Sequence, residues 1–284
     1  MRIAVTGSTG QLGRAVTAAA RAAGHEVVGL SRREPEPCDL TDRAAVERCF
    51  DERPPALVVH AAGATDVDGC ERDPAAARRL NVDATRHVVA AAARHGAHVV
   101  YVSTNHVFDG SLDRPYATDD VPNPPSVYGA TKLEGERLVG PEATIVRTAW
   151  LSSTFGPNLV TAVLDAARTS GPLRFVTDER AQPTFAADLA DAVLRLGAAR
   201  APGTWHVVNE GPVSAYELAR EVLAAAGDDP DRVQAIGAAA LPGRRARRPR
   251  NGVLDTGRLA REGGGALPHH AAALAAVVAA LTTP

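Results

Sequence analysis

Tyr128 and Lys132 are the two residues whose types and spacing best suit catalysis in this chain of 284 residues. They lie four positions apart in a predicted helix over Ser126–Gly140, which places both side chains on one face. An ammonium one turn from a phenol favours the phenolate, so a tyrosine with an ordinary pKa of about 10 can protonate a carbonyl oxygen near neutral pH. Lys132 is the only lysine among 31 basic residues. Arginine is larger and planar and would serve this chemistry less well, so the isolated lysine indicates a catalytic role.

A hydroxyl at the end of a predicted strand supplies a third candidate. The valine-rich run Val99–Thr104 ends in Ser103 and Thr104. Ligands of open α/β sheets bind at the carboxyl ends of the strands. A hydroxyl there can hydrogen-bond the carbonyl oxygen that Tyr128 protonates, and so support the alkoxide that develops as hydride arrives. The predicted catalytic residues are therefore Tyr128, Lys132 and one of the two hydroxyl residues Ser103 and Thr104, acting on a ketone.

The first strand-to-helix junction reads T-G-S-T-G-Q-L-G, with Gly7, Gly10 and Gly13 spaced three apart. Glycines at this spacing allow a tight turn, bring backbone amides close to a pyrophosphate and let the helix pack against the strand. A nicotinamide dinucleotide is therefore expected here, with small residues after the third strand lying along it. The predicted cofactor-binding residues are Gly7, Thr9, Gly10, Gln11, Leu12, Gly13, Ser31, Arg32, Asp39, Leu40, Ala61, Ala62, Gly63, Thr65, Tyr128 and Lys132.

The end of the second predicted strand indicates which dinucleotide is bound. An acidic residue at this position would hydrogen-bond a free ribose hydroxyl, but the sequence reads Ser31-Arg32-Arg33. A hydroxyl and two guanidinium groups suit a 2′-phosphate, which favours NADPH and leaves NADH open. Asp39 and Leu40 are expected along the adenine.

Short valine-rich runs alternate with helical stretches, the pattern of a parallel sheet covered by helices on both faces. The predicted strands are Arg2–Val5, Glu26–Leu30, Leu57–His60, Ala97–Ser103, Thr144–Thr148, Arg174–Val176 and Thr204–Val208. The predicted helices are Gln11–Ala23, Arg43–Glu52, Pro74–His95, Ser126–Gly140, Asn158–Thr169, Ala186–Leu196 and Ser214–Ala226. The expected fold class is α/β, a Rossmann-type doubly wound parallel sheet with a smaller C-terminal substrate-binding lobe. We expect 1–150 to form the NAD(P)-binding domain, with 186–210 returning to it, and 151–185 and 211–284 to form the lobe.

Composition argues against several other classes of function. The formal net charge is −2 at pH 7 and charges of both signs are interspersed, which disfavours nucleic acid and membrane surfaces as partners. The three cysteines form no C-x-x-C pair, the alanine-rich stretches are too short to span a bilayer, and no apolar leader is apparent. We therefore expect a soluble cytoplasmic protein, a monomer or homodimer. His269-His270 has no companion ligand at zinc spacing, so no metal site is expected.

Several longer motifs are spread over nearly the whole chain. They are T-G-S-T-G-Q-L-G at the start, A-A-G-A-T-D-V-D at 61–68, S-T-N-H-V-F-D-G at 103–110, R-P-Y at 114–116, N-P-P-S-V-Y-G-A-T-K at 123–132, R-T-A-W at 147–150, Q-P-T at 182–184 and R-P-R-N-G-V-L-D at 248–255. Together they resemble the extended short-chain dehydrogenase/reductase superfamily, and within it the dTDP-4-dehydrorhamnose reductase family. The resemblance implies a reduced nicotinamide cofactor and reduction of a dTDP-linked 4-keto-6-deoxy sugar to its 4-hydroxy form.

The resemblance also implies roles for single positions. By position, Thr104, Tyr128 and Lys132 would be the catalytic residues, and Asn81 would help to hold the active-site architecture. Arg248 or Arg250 would approach the substrate diphosphate, because guanidinium groups match phosphate geometry. The predicted substrate-binding residues are Val67, Thr104, Asn105, His106, Tyr128, Trp150, Gln182 and Arg248.

Two departures from the family pattern fall near the expected sugar pocket. The family usually has S-T-D-Y-V-F-D-G, and here Asn105 and His106 replace the acid and the tyrosine. It usually continues R-T-S-W-V-Y-G, and here Leu151-Ser152-Ser153 follow the tryptophan. We therefore expect the same chemistry on a related 4-keto deoxy sugar. His106 is either a second proton donor or a residue that shapes the pocket.

Two other functions use the same fold. A sugar-nucleotide 4-epimerase or 4,6-dehydratase shares the cofactor site, but a dehydratase needs an acid and a base beside the threonine, and Asn105-His106 supplies no carboxylate pair. A non-catalytic regulatory subunit would not need the three catalytic residues. Cofactor turnover distinguishes these functions, because a reductase releases oxidised cofactor with product, an epimerase retains it and a regulatory subunit consumes none.

Overall fold

A computed structural model describes residues 1–32, 37–169 and 171–283. Its strands are β1 (Arg2–Thr6), β2 (Glu26–Leu30), β3 (Leu57–His60), β4 (His98–Thr104), β5 (Thr144–Thr148), β6 (Leu151–Ser152), β7 (Leu173–Val176), β8 (Arg180–Ala181), β9 (Thr184–Phe185), β10 (Gly203–His206), β11 (Val213–Ser214) and β12 (Val233–Ile236). Its α-helices are α1 (Gln11–Ala22), α2 (Arg43–Glu52), α3 (Val67–Arg72), α4 (Pro74–Arg78), α5 (Ala84–Arg94), α6 (Val127–Val139), α7 (Leu159–Ala167), α8 (Ala186–Ala198), α9 (Ala215–Ala225), α10 (Gly257–Glu262) and α11 (His270–Thr282).

Six strands form a central sheet in the order β10-β5-β4-β3-β1-β2. Every neighbouring pair in it is parallel. The chain runs outward in one direction through β1 and β2 and in the other through β3, β4, β5 and β10, so the order reverses between β1 and β3. In such sheets ligands bind outside the carboxyl ends of the strands at this reversal. The predicted doubly wound Rossmann-type class is confirmed.

Both faces of the sheet are buried because side chains along each strand alternate between two hydrophobic clusters. Ile3 and Val5 of β1 pack in one cluster with residues of α1 and α8. Ala4, between them, packs in the other with residues of α2 and α5. The continuous apolar run of β1 is thereby explained, since neither face meets water.

A further cluster lies among elements that follow β5. It joins Val160 of α7, Leu218 and Val222 of α9, and Leu274 and Val278 of α11. β7 and β12 pair parallel to one another beside this cluster. The short pairs β6–β9 and β8–β11 complete the strand pairing in the described ranges.

The helix predicted over Pro74–His95 is interrupted in the structure. A π-helical turn covers Arg79–Asp83 between α4 and α5, and Asn81 within it is buried. Single π-turns inside helices are frequent at functional sites. The sequence prediction also missed α3, α10 and α11. None of the helices in the described ranges combines the length and the apolarity that crossing a membrane requires.

Candidate active site

A cleft with a volume of about 570 Å³ opens at the carboxyl edge of the central sheet. All of the predicted cofactor-binding residues and all three predicted catalytic residues lie along it. Of the predicted substrate-binding residues, the cleft is lined by Val67, Thr104, Asn105, His106, Tyr128 and Trp150. The structure therefore gathers residues 7–13, 31–32, 38–40, 61–67, 104–106 and 128–132 around one space.

The glycine turn between β1 and α1 forms one end of this cleft. Gly7 adopts a left-handed backbone with φ +65°, and its amide donates to the carbonyl of Leu30 at 2.9 Å. A Cβ atom on Gly13 would lie 2.1 Å from the Gly7 carbonyl oxygen. Glycine at both positions lets the N-terminus of α1 sit close to the strand, with free helix amides directed at the cleft.

Gln11 joins this turn to the segment after β6. Its side-chain nitrogen donates to the Pro157 carbonyl at 3.2 Å. Its side-chain oxygen accepts from Ser153 Oγ at 3.0 Å and from Asn158 Nδ2 at 3.2 Å. Ser153 and Pro157 both follow Trp150, where the sequence departs from the family pattern. The segment that differs from the family pattern thus lies over the first turn of α1.

The opposite rim of the cleft carries polar groups from the end of β2. Arg32 is exposed and Asp39 is exposed beside it. Hydrogen bonds from Thr41 and the charge of Arg32 hold the pKa of Asp39 below its usual value. Arg33, the second arginine of the sequence prediction, lies outside the described residues.

Helix α6 presents Tyr128 and Lys132 to the centre of the cleft. Ser126 caps it by accepting a hydrogen bond from the Gly129 amide at 3.2 Å, which is a favourable N-cap. Burial raises the pKa of Tyr128 to about 12, and a hydrogen bond with Thr104 opposes the rise. The predicted lowering of the tyrosine pKa is therefore wrong for this structure, since removal from water outweighs any nearby positive charge. Tyr128 is a neutral phenol that can donate a proton.

Lys132 is almost fully buried. Burial lowers the pKa of its ammonium to about 7, and the negative charge of Glu136 partly opposes this shift. Glu136 is itself held by Arg147 at 2.7 Å and 2.9 Å and by Ser103 Oγ at 2.5 Å. The pKa of Lys132 is thus close to neutral pH, and the buried ion pair of Glu136 and Arg147 lies beside it.

Asn81 ties the π-helical turn to the backbone around the cleft. Its Oδ1 accepts from the Ala64 amide at 2.7 Å, and its Nδ2 donates to the Ala64 carbonyl at 3.2 Å. Nδ2 also donates to Thr131 Oγ1 at 3.0 Å, and Thr131 donates to the Tyr128 carbonyl at 2.9 Å. One amide therefore aligns the segment before α3 with the helix that carries Tyr128.

Asn105 and His106 form a short 3₁₀ turn directly after β4. Nδ2 of Asn105 donates to the Gly252 carbonyl at 3.0 Å, a bond that the aspartate usual in the family could not make while ionised. The ring of His106 meets that of Tyr128 edge-on, with centroids 5.4 Å apart. Burial and the charges of Arg248 and Arg244 lower the pKa of His106 to about 4. At neutral pH it is a neutral ring and not an imidazolium acid.

A second cleft of about 280 Å³ shares Asn105, His106 and Trp150 with the first. Arg248 lines it, with Nη2 2.6 Å from Oδ2 of Asp68. Oδ1 of Asp68 also accepts from the amides of residues 245 and 246, at 2.8 Å and 2.9 Å. Its pKa is held well below the usual range by these bonds. Sequence reasoning missed Asp68, although it closes the motif at 61–68.

Trp150 stands where the two clefts meet. Its backbone is left-handed with φ +39°, a conformation that costs a residue with a Cβ atom roughly 1–2 kcal/mol. Its carbonyl accepts from the Thr184 amide at 3.2 Å. Strain of this kind persists only where the surroundings over-determine it, and it clusters at ligand sites.

Gln182 lies outside the described lining of either cleft. It is buried, donates to the Leu254 carbonyl at 2.7 Å and accepts from the Leu254 amide at 3.0 Å. The structure thus directs its side chain to Leu254, in the segment 248–255. In the described residues, no group of three or more histidine, cysteine, aspartate or glutamate side chains is arranged to hold a metal ion.

Comparison with known protein families gives one match over almost the whole chain. Residues 1–283 match the model of the RmlD substrate binding domain. The chain is 40% identical over 279 residues to the dTDP-4-dehydrorhamnose reductase of Streptomyces griseus, covering 95% of this chain and 90% of that protein. It is 34% identical over 254 residues to the dTDP-4-keto-6-deoxy-D-glucose reductase of Streptomyces niveus, covering 88% and 87%.

Solved structures of dTDP-4-dehydrorhamnose reductases also superpose on this chain. A dTDP-4-dehydrorhamnose reductase of Clostridium acetobutylicum superposes with a TM-score of 0.93 at 34% identity, over 100% of both chains. A dTDP-4-dehydrorhamnose reductase of Bacillus anthracis in complex with NADP superposes with a TM-score of 0.91 at 28% identity, over 97% of this chain and 98% of that one.

Proposed function

The chain belongs to the family of the RmlD substrate binding domain, and from this premise we propose that it reduces the 4-keto group of a dTDP-linked 4-keto-6-deoxy sugar with NADPH. The observation that carries the proposal is the cleft in which Thr104, Tyr128 and Lys132 lie along the same space as the glycine turn. Relatives named as reductases of two different dTDP sugars support this substrate class. We propose that the lobe of 151–185 and 211–284 receives the sugar nucleotide.

The residues of the cleft fit a nicotinamide dinucleotide. Glycine at position 13 lets α1 pack directly against the backbone of Gly7, and the amides at the N-terminus of this helix suit a pyrophosphate. Arg32 would hold a 2′-phosphate, which supports NADPH over NADH, and the NADP complex of the Bacillus anthracis relative supports the same choice. When bound, the reduced cofactor supplies the hydride that reaches the carbonyl carbon.

The catalytic residues of the chain would act on the carbonyl oxygen. The Thr104 hydroxyl, which lies along the same cleft as Tyr128, would hold this oxygen in place. Tyr128 would donate its phenolic proton as negative charge develops, since its raised pKa keeps the proton available across the neutral range. Lys132, one turn away, would stabilise the phenolate that results.

Residues facing the sugar would set which ketone is accepted. Asn105, His106 and Trp150 line both clefts. His106 is neutral at pH 7, so we propose that it shapes the pocket and offers a hydrogen bond. Arg248 would approach the diphosphate while paired with Asp68. The departures at Asn105 and His106 support a substrate related to, but distinct from, dehydrorhamnose.

The proposal is tested with dTDP-4-keto-6-deoxyglucose generated enzymatically, with and without a 3,5-epimerase, while NADPH absorbance is followed. Loss of absorbance together with a 4-hydroxy product is expected. Oxidation only with the epimerase would identify a rhamnose-type substrate, and oxidation without it a glucose-type one. No oxidation with either sugar, or with 4-keto sugars deoxygenated at further positions, would overturn the proposal.

A further inference from the structure

The side chain of Tyr101 lies on β4 against Lys132. The Lys132 Nζ is 4.1 Å from the centroid of the Tyr101 ring, well within the range of a cation–π contact. The Tyr101 hydroxyl also donates to the Lys132 carbonyl oxygen at 3.3 Å. Tyr101 is fully buried and Lys132 is 5% exposed. The tyrosine therefore touches the lysine both at its charge and at its backbone.

Helix α6 makes room for this ring with a glycine. A Cβ atom on Gly135 would lie 2.0 Å from the Tyr101 hydroxyl oxygen. Any other residue there would displace the ring from beneath Lys132. The close approach of Tyr101 to the helix therefore depends on the glycine at position 135.

The charged groups nearest to Lys132 do not replace the ring as its partner. Glu136, on the next turn of α6, is bonded bidentately by Arg147 from β5 and is capped by Ser103. Its negative charge opposes the lowering of the Lys132 pKa by burial, but both of its carboxylate oxygens are already bonded to Arg147 and Ser103. In the described ranges, the Lys132 ammonium makes no hydrogen bond. The face of Tyr101 is consequently its main close electron-rich neighbour.

The remaining titratable neighbours are uncharged at neutral pH. Burial raises the pKa of Tyr101 well above its usual value and that of Tyr128 to about 12. His60 of β3, whose ring centroid is 5.6 Å from that of Tyr101, has its pKa lowered to about 3. His106 is likewise neutral, with a pKa of about 4.

Four other elements pack against α6, namely α3, α4, the π-helical turn and α5. From α3, Cys70 has its thiol pKa raised by burial. From α4, Arg78 is bound to Glu134 at 2.8 Å on an exposed face.

On the π-helical turn Arg79 is exposed, and Asp83 pairs with Arg86 of α5 at 2.6 Å. The His87 ring of α5 bonds the Leu40 carbonyl at 3.0 Å. None of these groups places an unpaired charge beside the lysine.

We propose that Tyr101 is a positioning residue whose ring holds the protonated Lys132 ammonium in the cleft and so sets the pH at which this lysine loses its charge. Its effect on turnover rests on the proposed function, but its effect on Lys132 does not. A cation–π contact stabilises only the protonated amine, so weakening the ring face must lower the lysine pKa.

The composition of the chain allows a direct test. Lys132 is the only lysine, so protein labelled with [ε-13C]lysine and carrying no lysine in its tag gives one side-chain signal. Its NMR shift is titrated in the full chain with Tyr101→Phe and then with mono-, di- and trifluorinated phenylalanine at position 101. Fluorine withdraws electrons from the ring face with little change of shape.

We expect a wild-type midpoint near pH 7, a similar one for Tyr101→Phe, and a stepwise fall across the fluorinated series of up to roughly one pH unit. The matched control is the same series at Phe50, a fully buried ring over which no described cation lies. It is expected to leave the midpoint unchanged. A midpoint that is constant across the series at position 101, with folding intact by circular dichroism, would overturn the proposal.

Kinetics then separate this contact from the reaction. If the chain reduces the sugar, the alkaline limb of kcat/KM should move to lower pH in step with the NMR midpoint. If it does not reduce the sugar, the NMR series still decides whether Tyr101 holds Lys132. A limb that stays in place while the NMR midpoint moves would show that Tyr101 does not act on turnover through Lys132.

Discussion

The floor of the first cleft and the wall of the second are built in different ways. The floor, Thr104, Tyr128 and Lys132, comes from the end of one strand and one face of one helix. The wall of the second cleft carries Glu179, Arg244 and Arg248. Ion pairs join it across segments distant along the chain, Arg248 with Asp68 and Arg244 with Glu179 at 2.8 Å. The floor is uniformly buried, whereas about a fifth of the Arg248 and Asp68 side chains is exposed.

This difference indicates that the floor and the wall have different roles. Burial controls the protonation of the floor: it keeps Tyr128 a neutral phenol and lowers the pKa of Lys132 to about 7. The wall instead carries charges that are held by ion pairs with partners from distant segments. Chemistry should therefore depend on the floor, and affinity and substrate choice on the wall.

The largest expected effect comes from the floor itself. Tyr128→Phe removes the proton donor while leaving the ring, and should reduce kcat about a hundred- to ten-thousand-fold. Binding of NADPH, followed by its fluorescence, should be nearly unchanged. Turnover close to that of the wild type would show that another group protonates the substrate.

The second largest effect is expected for the buried ion pair of Arg147 and Glu136, beneath the floor. Arg147→Met leaves Glu136 buried with only Ser103 as a partner, and removing one member of such a pair typically costs about 3–5 kcal/mol of unfolding free energy. Both side chains are 5% exposed. Urea denaturation measures the loss. The matched control is Glu134→Gln, which breaks an exposed pair with Arg78 and should leave the midpoint nearly unchanged. Equal losses in the two variants would contradict the distinction.

A smaller effect is expected at the wall. Arg248→Ala should raise KM for the sugar nucleotide roughly tenfold, since one charge-assisted contact to a phosphate is lost, with kcat changed less than about twofold. Arg247→Ala, at the exposed arginine directly before it, is the control and should leave KM as it is. A fall in kcat without a change in KM would assign Arg248 to the chemistry instead.

The smallest expected effect lies at the rim. Arg32 is exposed, so its contribution to recognising a 2′-phosphate is screened by water. Arg32→Ala should lower the ratio of kcat/KM for NADPH to that for NADH roughly fivefold. An unchanged ratio in side-by-side assays would remove Arg32 from cofactor selection.

Local patterns predicted most of what the floor contains. A spacing of four on a helix puts Tyr128 and Lys132 on one face whatever surrounds them. The glycine turn and the strand-end Thr104 are also local, because each depends on a few adjacent residues. The sequence likewise predicted the sheet class, since valine-rich runs alternating with helices allow few other arrangements.

Only the tertiary structure decided what depends on distant neighbours. The bond between Asp68 and Arg248 joins positions 180 residues apart, and no spacing rule connects them. Burial reversed the expected direction of the Tyr128 pKa, because desolvation depends on the whole surrounding core. Packing between separate elements also directs the Gln182 side chain to Leu254 and places the ring of Tyr101 against Lys132. The sequence by itself determined which groups could perform the chemistry, and the fold decided their charge and their partners, because these depend on packing in three dimensions.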